Sequence, residues 1–316
     1  MLTANAPALP AARKAPPPPV HEVFRAAPRN RIGSSLTEGR TTPTTMKIIR
    51  FEDAQGHAGY GRLTGDDLSR AERLRGDLFG TMTPTGEEVE VKRVLAPLDP
   101  PNILCIGLNY RRHADETGKP HPERPILFLK ATTSVIGPNE PIVLPAISDE
   151  VDYECELAIV VGKRARHVSE ADALDYVLGY TCANDVSARD WQHRLDRQWA
   201  RGKGFDTFCP LGPALVTADE IPDPDALDIR MTVSGETLQN SNTGDMIFGT
   251  RHLIAYLSQG MTLLPGTVIL TGTPEGVGDA RTPPRYLRPG DTCAVEIERI
   301  GTLRNPVVAE GGAAAA

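Results

Sequence analysis

The sequence predicts a β-rich α+β fold, a roll or sandwich with peripheral helices behind a small N-terminal subdomain. From residue 101 onward the chain repeats short Val/Ile/Leu runs, at 103–106, 126–129, 157–161, 227–233, 268–270 and 292–297, punctuated by Gly and Pro. Only two longer segments, 169–178 and 249–259, read as regular helices. Ahead of Pro100-Pro101, three strand-like pieces at 47–51, 59–63 and 89–95 are separated by turns containing Gly and Asp. Many strands and few helices favour sheet layers with helices at the periphery.

In chain order, residues 1–45 are rich in Pro, Ala, Thr and Arg, include four consecutive prolines at 16–19, and show neither helical nor strand period. They are expected to be disordered. The leader carries more Arg than acid, as transit peptides do, but lacks a clear amphipathic helix. Met46 then opens Met-Lys-Ile-Ile-Arg-Phe, the first strand of a subdomain over 46–100. The main domain spans 101–309, and the low-complexity tail 310–316 is expected to fray. Within the main domain, Ser169 fits an N-cap for the helix at 169–178, and 177–184 reads as a strand.

The balance of charge narrows the function. A net charge of -7 offers no basic footprint for nucleic acid or an anionic membrane, and no apolar run approaches a membrane span. The 5 cysteines are scattered without a Cys-x-x-Cys pair, which points to reduced core thiols in a cytoplasmic protein.

The chemistry centres on residues 151–163, Val-Asp-Tyr-Glu-Cys-Glu-Leu-Ala-Ile-Val-Val-Gly-Lys. Alternation places Asp152, Glu154 and Glu156 on one side of a strand, and the apolar run after them is that of a strand buried on both faces. Like charges so close repel unless a cation lies between them or one is protonated; the plainer reading is a solvated acidic face. Asp185, at the end of the strand 177–184, is a natural third ligand, although an isolated Asp there also suits a turn. Three carboxylates without His or Cys select a hard cation: Mg²⁺, Mn²⁺ or Ca²⁺ rather than Zn²⁺. Ser187 and Asp190 form a capping-box pattern, so Asp190 is read as structural.

Residues 189–203 carry Arg189, Arg194, Arg197, Arg201 and Lys203 around a helical stripe of Trp191, Leu195 and Trp199. Such a run is commonly a solvated basic face, but it ends in Gly-Lys-Gly, where the backbone can approach a ligand closely and the ammonium can meet an anion. His113 and Glu116, three apart, share a face if 109–116 is helical, and a Glu that orients a His makes a general base. The stretch 270–278, Leu-Thr-Gly-Thr-Pro-Glu-Gly-Val-Gly, offers backbone amides and a hydroxyl to an anion without being a P-loop.

The ordered set Asn-Tyr-x-x-His-x-x-Glu, Glu-x-Glu, Asn-Asp-Val-Ser-Ala-Arg-Asp, Gly-Lys-x-Phe-Asp-Thr-Phe-Cys-Pro-Leu-Gly-Pro and Thr-Gly-Thr-Pro-x-Gly-Val-Gly resembles the fumarylacetoacetate hydrolase family. The likeness runs from Pro101 to Val307 and is greatest to the domain-containing protein 2 group of that family. It implies a mixed β-roll, a homodimer, and Mg²⁺ or Mn²⁺ on the positions of Glu154, Glu156 and Asp185. It further implies substrate contacts from Arg189, Gln192, Lys203 and Thr273, and water activation by His113 and Glu116 on a lid. The one departure is Gly204, where many relatives carry Ser or Thr.

Residues and resemblance together lead to a divalent-metal-dependent hydrolase that cleaves a carbon–carbon bond in a small anionic β-diketo acid, of acylpyruvate or fumarylpyruvate type, through a stabilised enolate. The alternative is oxaloacetate tautomerisation or decarboxylation, or a 2-hydroxyhepta-2,4-diene-1,7-dioate-type isomerisation, at the same site. A non-catalytic metabolite-binding protein is the third reading.

Overall fold

The computed structural model describes residues 46–65 and 67–312. The leader 1–45 and the last four residues of the tail, both expected to be disordered, lie outside the described residues. The strand pairing below belongs to the compact unit Pro43–Ala316.

Among the described residues the largest sheet has 12 strands. Its centre runs Cys209–Thr217, Val177–Asn184, Cys155–Val161, Val268–Leu270 and Ile103–Gly107, with Ile126–Lys130 at one edge. Val268–Leu270 pairs parallel to Ile103–Gly107 and antiparallel to Cys155–Val161, so the sheet is mixed. Alternation along the central strands feeds two cores. Leu157, Ile159, Cys182 and Ile269 face one core, and Ala158, Val160, Ala183, Val268 and Leu270 face the other. This is why 157–161 is apolar without a break: both faces are covered.

A 5-stranded sheet, Glu236–Asn242, Asp228–Val233, Thr292–Ile297, Gly301–Ala309 and Ile142–Leu144, covers the first face. Its Ile229, Met231, Val295 and Leu303 join Leu157 and Ile159 in one buried cluster. Each fully buried side chain of this kind contributes about 1.5–3 kcal/mol.

Residues 46–100 extend the large sheet outward. Lys47–Glu52 pairs antiparallel with Cys209–Thr217, Ile48 opposite Leu215, and Ala58–Arg62, Arg70–Gly76 and Met82–Glu90 continue the order. Sequence reasoning missed Arg70–Gly76 because a register shift between Glu72 and Leu74 sets its inward residues, Ala71 and Leu74, three apart. The expected strand 89–95 is two strands, Met82–Glu90 and Arg93–Leu95.

The helix expected at 169–178 is absent; only a 3₁₀ turn, Ala173–Tyr176, forms there. Ser169 Oγ accepts from the amide of Asp172 at 3.3 Å and so closes the turn at 170–172, but the N-cap position of the 3₁₀ segment is Asp172. The chain then leaves as Val177–Asn184, gripped between two strands, and sheet pairing overrides helical propensity. The helix expected near 249–259 is present as Thr250–Gly260, with the amide of Thr250 donating to Asp225 Oδ1 at 3.0 Å and with Leu253, Ile254 and Leu257 buried. No helix among the described residues is long and apolar enough to cross a membrane.

Candidate active site

Antiparallel pairing brings the acids together. The start of Cys155–Val161 lies beside the end of Val177–Asn184, with Cys155 opposite Asn184 and Glu156 opposite Ala183. The connection is completed when the amide of Glu154 donates to Asn184 Oδ1 at 3.0 Å and that of Asp185 donates to the Glu154 carbonyl at 2.9 Å. Oxygens of Glu154, Glu156 and Asp185 thereby lie within 4.8 Å of one another, all buried. Asp152 does not join them, although alternation put it on their side. The strand breaks between Val151–Asp152 and Cys155–Val161, and Asp152 turns instead to the amides of Gly278 and Asp279, at 2.8 and 3.0 Å, and to Arg189 Nε at 2.9 Å.

Three cations face these acids. Lys203 Nζ donates to Glu154 Oε2 at 2.9 Å, Asp185 Oδ2 at 2.7 Å and Ser187 Oγ at 2.7 Å. Lys130 Nζ donates to Asp185 Oδ1 and to the Val186 carbonyl, its side chain fully buried. Arg189 donates through Nη1 to Gln192 Oε1 at 3.0 Å, and its Nη2 lies 2.7 Å from Glu154 Oε1 without hydrogen-bond alignment. Lys130 was missed by sequence reasoning. The available signal was its place two residues after Phe128, on the buried side of Ile126–Lys130.

Burial and the like charges of Asp185 and Glu154 push the Glu156 carboxyl well above its usual range. Burial acts the same way on Glu154, but the Lys203 and Arg189 charges outweigh it and hold Glu154 below the usual range. Burial disfavours the Lys203 ammonium, yet Asp185 and Glu154 raise its pKa. Glu156 is therefore the acid short of positive charge. A buried, all-oxygen donor set with one under-compensated carboxylate fits a hard divalent cation.

The loop after Val268–Leu270 was expected to offer its amides to an anion. Those amides hold the protein's own carboxylates: Gly272 donates to Glu156 Oε2 at 2.7 Å, Gly276 to Glu116 Oε2 at 2.9 Å and Gly278 to Asp152 Oδ1 at 2.8 Å. Gly272 is required here, since its φ is +97° and an added Cβ would lie 2.7 Å from Asn109 Cβ. Thr273 Oγ1 donates to the Cys155 carbonyl at 3.0 Å and accepts from Gln239 Nε2 at 2.8 Å, which leaves it a lone pair. Gln239, another residue the sequence did not mark, also accepts from the Cys155 amide at 2.9 Å and so ties the second sheet to the acidic strand.

The expected helix over 189–203 is broken. A π-helical turn, Trp191–Leu195, and a short helix, Trp199–Lys203, are separated at Arg197, whose φ is +55°. Arg194 and Arg201 pair at the surface with Glu150 and Asp196, at 2.8 and 3.2 Å, which is the solvated basic face. An added Cβ on Gly202 would lie 2.7 Å from the Gln192 amide nitrogen, so this glycine seats the helix against its own chain rather than against a ligand and drives Lys203 inward. With three hydrogen bonds already fixing Lys203, the departure at Gly204 leaves it in place. Asp190 is structural: it accepts from the Trp191 amide at 2.9 Å and from Ser148 Oγ at 2.7 Å, while Ser187 serves Lys203 instead of a cap.

His113 and Glu116 lie on the helix Arg111–Glu116, with Nδ1 2.7 Å from Glu116 Oε1. That helix is pinned by Asn109, whose Nδ2 donates to the Thr271 and Phe248 carbonyls at 2.7 and 3.0 Å. His113, Glu116, Arg189 and Gln192 line one cleft of about 390 Å³. Glu154, Glu156, Asp185, Lys203 and Thr273 line a chamber of about 20 Å³ behind it, room for one ion or one water. The nine residues expected as metal ligands, substrate contacts or water-activating pair therefore each line one of two adjoining spaces.

Residues 102–308 match the family model described as fumarylacetoacetate (FAA) hydrolase C-terminal, and residues 46–97 match that described as Rv2993c-like, N-terminal. The chain is 54% identical over 217 residues to oxaloacetate tautomerase fahd2, mitochondrial, of Xenopus laevis, covering 68% of each protein. With the Homo sapiens oxaloacetate tautomerase FAHD2A, mitochondrial, it shares 51% identity over 216 residues, 68% of this chain and 69% of the other. The solved 2-hydroxyhepta-2,4-diene-1,7-dioate isomerase from Mycobacterium marinum aligns at 41% identity and a TM-score of 0.74 over 85% of this chain and 100% of its own. The fumarylacetoacetate hydrolase from Exiguobacterium antarcticum aligns at 36% identity and 0.73 over 84% and 100%. The mitochondrial relatives overturn the cytoplasmic expectation. That expectation leaned on unpaired cysteines; all five are free and buried, and five reduced core thiols do not identify the cytoplasm among reducing compartments.

Proposed function

This chain belongs to the fumarylacetoacetate hydrolase family, and we propose that within it the protein interconverts the enol and keto forms of a small oxo-diacid of the oxaloacetate type. The observation that carries this is the adjacency of two spaces: a buried acid–lysine chamber of ion size and, in front of it, a cleft holding an oriented His–Glu pair. The tautomerase and isomerase relatives support the same reaction class. Carbon–carbon hydrolysis, which the sequence placed first, becomes the second reading; the His–Glu pair suits water activation, and one structural relative is a fumarylacetoacetate hydrolase.

Glu154, Glu156 and Asp185 would hold a divalent cation, Mg²⁺ or Mn²⁺ by the hardness of the donor set, which when bound would supply Lewis acidity to the substrate oxygens. Arg189, whose Nη2 is near acids but unaligned, and Gln192 bind the substrate carboxylate at the cleft floor, and Thr273 offers its free lone pair. The Lys203 ammonium, already fixed by three acceptors, stabilises the developing oxyanion without reorganising. Glu116 holds Nδ1 of His113, which leaves Nε2 to take the enol hydroxyl proton and return it to the neighbouring carbon. The O–H bond breaks, a C–H bond forms, the C=C pair moves, and no water is consumed. The same reading includes a homodimer, for which exposed Ile126 and Leu129, on opposite sides of an edge strand, offer apolar side chains.

The test is the decay of enol absorbance with enol-oxaloacetate and the Mg²⁺-loaded protein, beside pyruvate release from acetylpyruvate and fumarylpyruvate. Enol loss without cleavage or decarboxylation is expected, with His113→Asn slowing it about 10²–10⁴-fold while leaving Mg²⁺ affinity unchanged. Pyruvate release without enol conversion reverses the order of the two readings.

A further inference from the structure

Trp199 is a wall of both spaces at the site, shared only with Gln192. Its indole lies edge-to-face on Phe128, with ring centroids 5.6 Å apart and an interplanar angle of 73°. Its far edge is set against the backbone of Gly107, where an added Cβ would fall 2.0 Å from Trp199 Cζ3, so that residue 107 must be glycine for the ring to sit there. The Lys203 ammonium lies 5.1 Å from the centroid of the same Phe128 ring. The indole is thus half-buried between the chamber of the three acids and the open cleft.

Its anchorage is asymmetric. On the C-terminal side four residues lead to the buried Lys203. On the N-terminal side residues 193–198 are all exposed, and Arg197 adopts a left-handed φ of +55°. The ring is placed by packing on Phe128 and Gly107 rather than by hydrogen bonds, and aromatic contacts of this kind set shape more than they bind polar groups.

We propose that Trp199 is a specificity-determining residue: its indole closes the space beside the reacting carbons and admits short oxo-diacids while excluding those extended by one or more methylenes. This rests on the oxo-diacid reading above and names the feature that sets substrate length. A rigid apolar wall discriminates by exclusion, and one methylene in such a place is worth about 10–200-fold. Gln192, the other residue common to both spaces, is a polar side chain held on Arg189 and serves the substrate carboxylate in the reading above.

The experiment measures competitive inhibition and direct binding with Mg²⁺ present. Oxaloacetate and 2-oxo-diacids one and two methylenes longer are titrated into wild type, Trp199→Phe, Trp199→Ala and Gly107→Ala. Direct binding is read by calorimetry and by the emission of Trp199 in a Trp191→Phe background. Wild type is expected to favour the shorter diacid by about tenfold or more per methylene, Trp199→Ala to flatten that ratio by at least about tenfold, and Trp199→Phe to fall between. Gly107→Ala, which displaces the indole without removing it, should shift the ratio in the same direction. An unchanged ratio in Trp199→Ala, with all affinities lowered together, assigns Trp199 a packing role and overturns the proposal. A protein that binds the diacids with wild-type length preference but does not convert enol-oxaloacetate refutes the proposed function and leaves the role of Trp199 standing. Failure to bind any oxo-diacid overturns both.

Discussion

Replacing Lys130 with methionine removes the one cation that serves Asp185 Oδ1 and the Val186 carbonyl while roughly keeping the volume of a fully buried side chain. Breaking a buried ion pair by deleting one partner costs about 3–5 kcal/mol, because the remaining charge is left without its counter-ion. Lys203 still holds Asp185 Oδ2 at 2.7 Å, which places the cost near the lower end, about 3 kcal/mol. Against a total stability of about 5–15 kcal/mol the variant folds but is weakened. With an m-value of about 3 kcal/mol per molar urea, its metal-free midpoint should fall by about 1 M. The same deletion removes a positive charge from beside three acids, so a divalent cation binds more tightly; tenfold tighter binding returns about 1.4 kcal/mol under saturating cation. The assay is urea unfolding of both proteins with EDTA and with Mg²⁺, followed by far-ultraviolet circular dichroism. A metal-free midpoint unchanged from wild type, or equal stabilisation of both proteins by Mg²⁺, would refute the reasoning.

The remaining predictions concern Glu156 and its loop. Burial and two like charges raise the folded-state pKa of Glu156 above its ordinary 4.5, so upward from that value the metal-free folded protein holds a proton that the unfolded chain has lost. Through this group its stability therefore falls as pH rises, by at most about 1.4 kcal/mol per unit, whereas Mg²⁺ affinity rises about tenfold per unit with release of one proton. Chemical denaturation and calorimetry across pH in buffers of different ionisation enthalpy check both slopes, and parallel slopes would sink the assignment. Glu156→Ala should abolish Mg²⁺ binding and activity together; an active variant removes Glu156 from the ligand set. Gly272→Ala, which meets both a positive φ and the Asn109 side chain, should lower stability by about 1–3 kcal/mol and displace the amide that holds Glu156, seen as a lower urea midpoint and weaker Mg²⁺ affinity.

Local patterns made much of this molecule legible. Alternating and continuous apolar runs marked most strands of the two sheets, and residue type at a strand end marked Glu154, Glu156 and Asp185, because both signals depend on neighbours two residues apart. The spacing of His113 and Glu116 likewise fixed a side-chain pair within one helical turn. Where a residue's partner comes from a distant strand, the pattern was silent or misleading. Asp152 shares the parity of Glu154 but turns to Arg189 and two loop amides, and the loop of 270–278 spends its amides on the protein's own acids. Ser169 caps a turn rather than a helix because two strands claim the residues that follow.

Residue types and short spacings were enough to show the donor chemistry: three carboxylates, a lysine between glycines, and a histidine three residues from a glutamate. How the charges are shared depends on the folded chain. Folding brought Lys130 from an edge strand to Asp185, left Glu156 short of positive charge, and set Trp199 against Gly107 between chamber and cleft. Charge compensation and steric closure depend on distances across the fold, which separation along the chain does not encode.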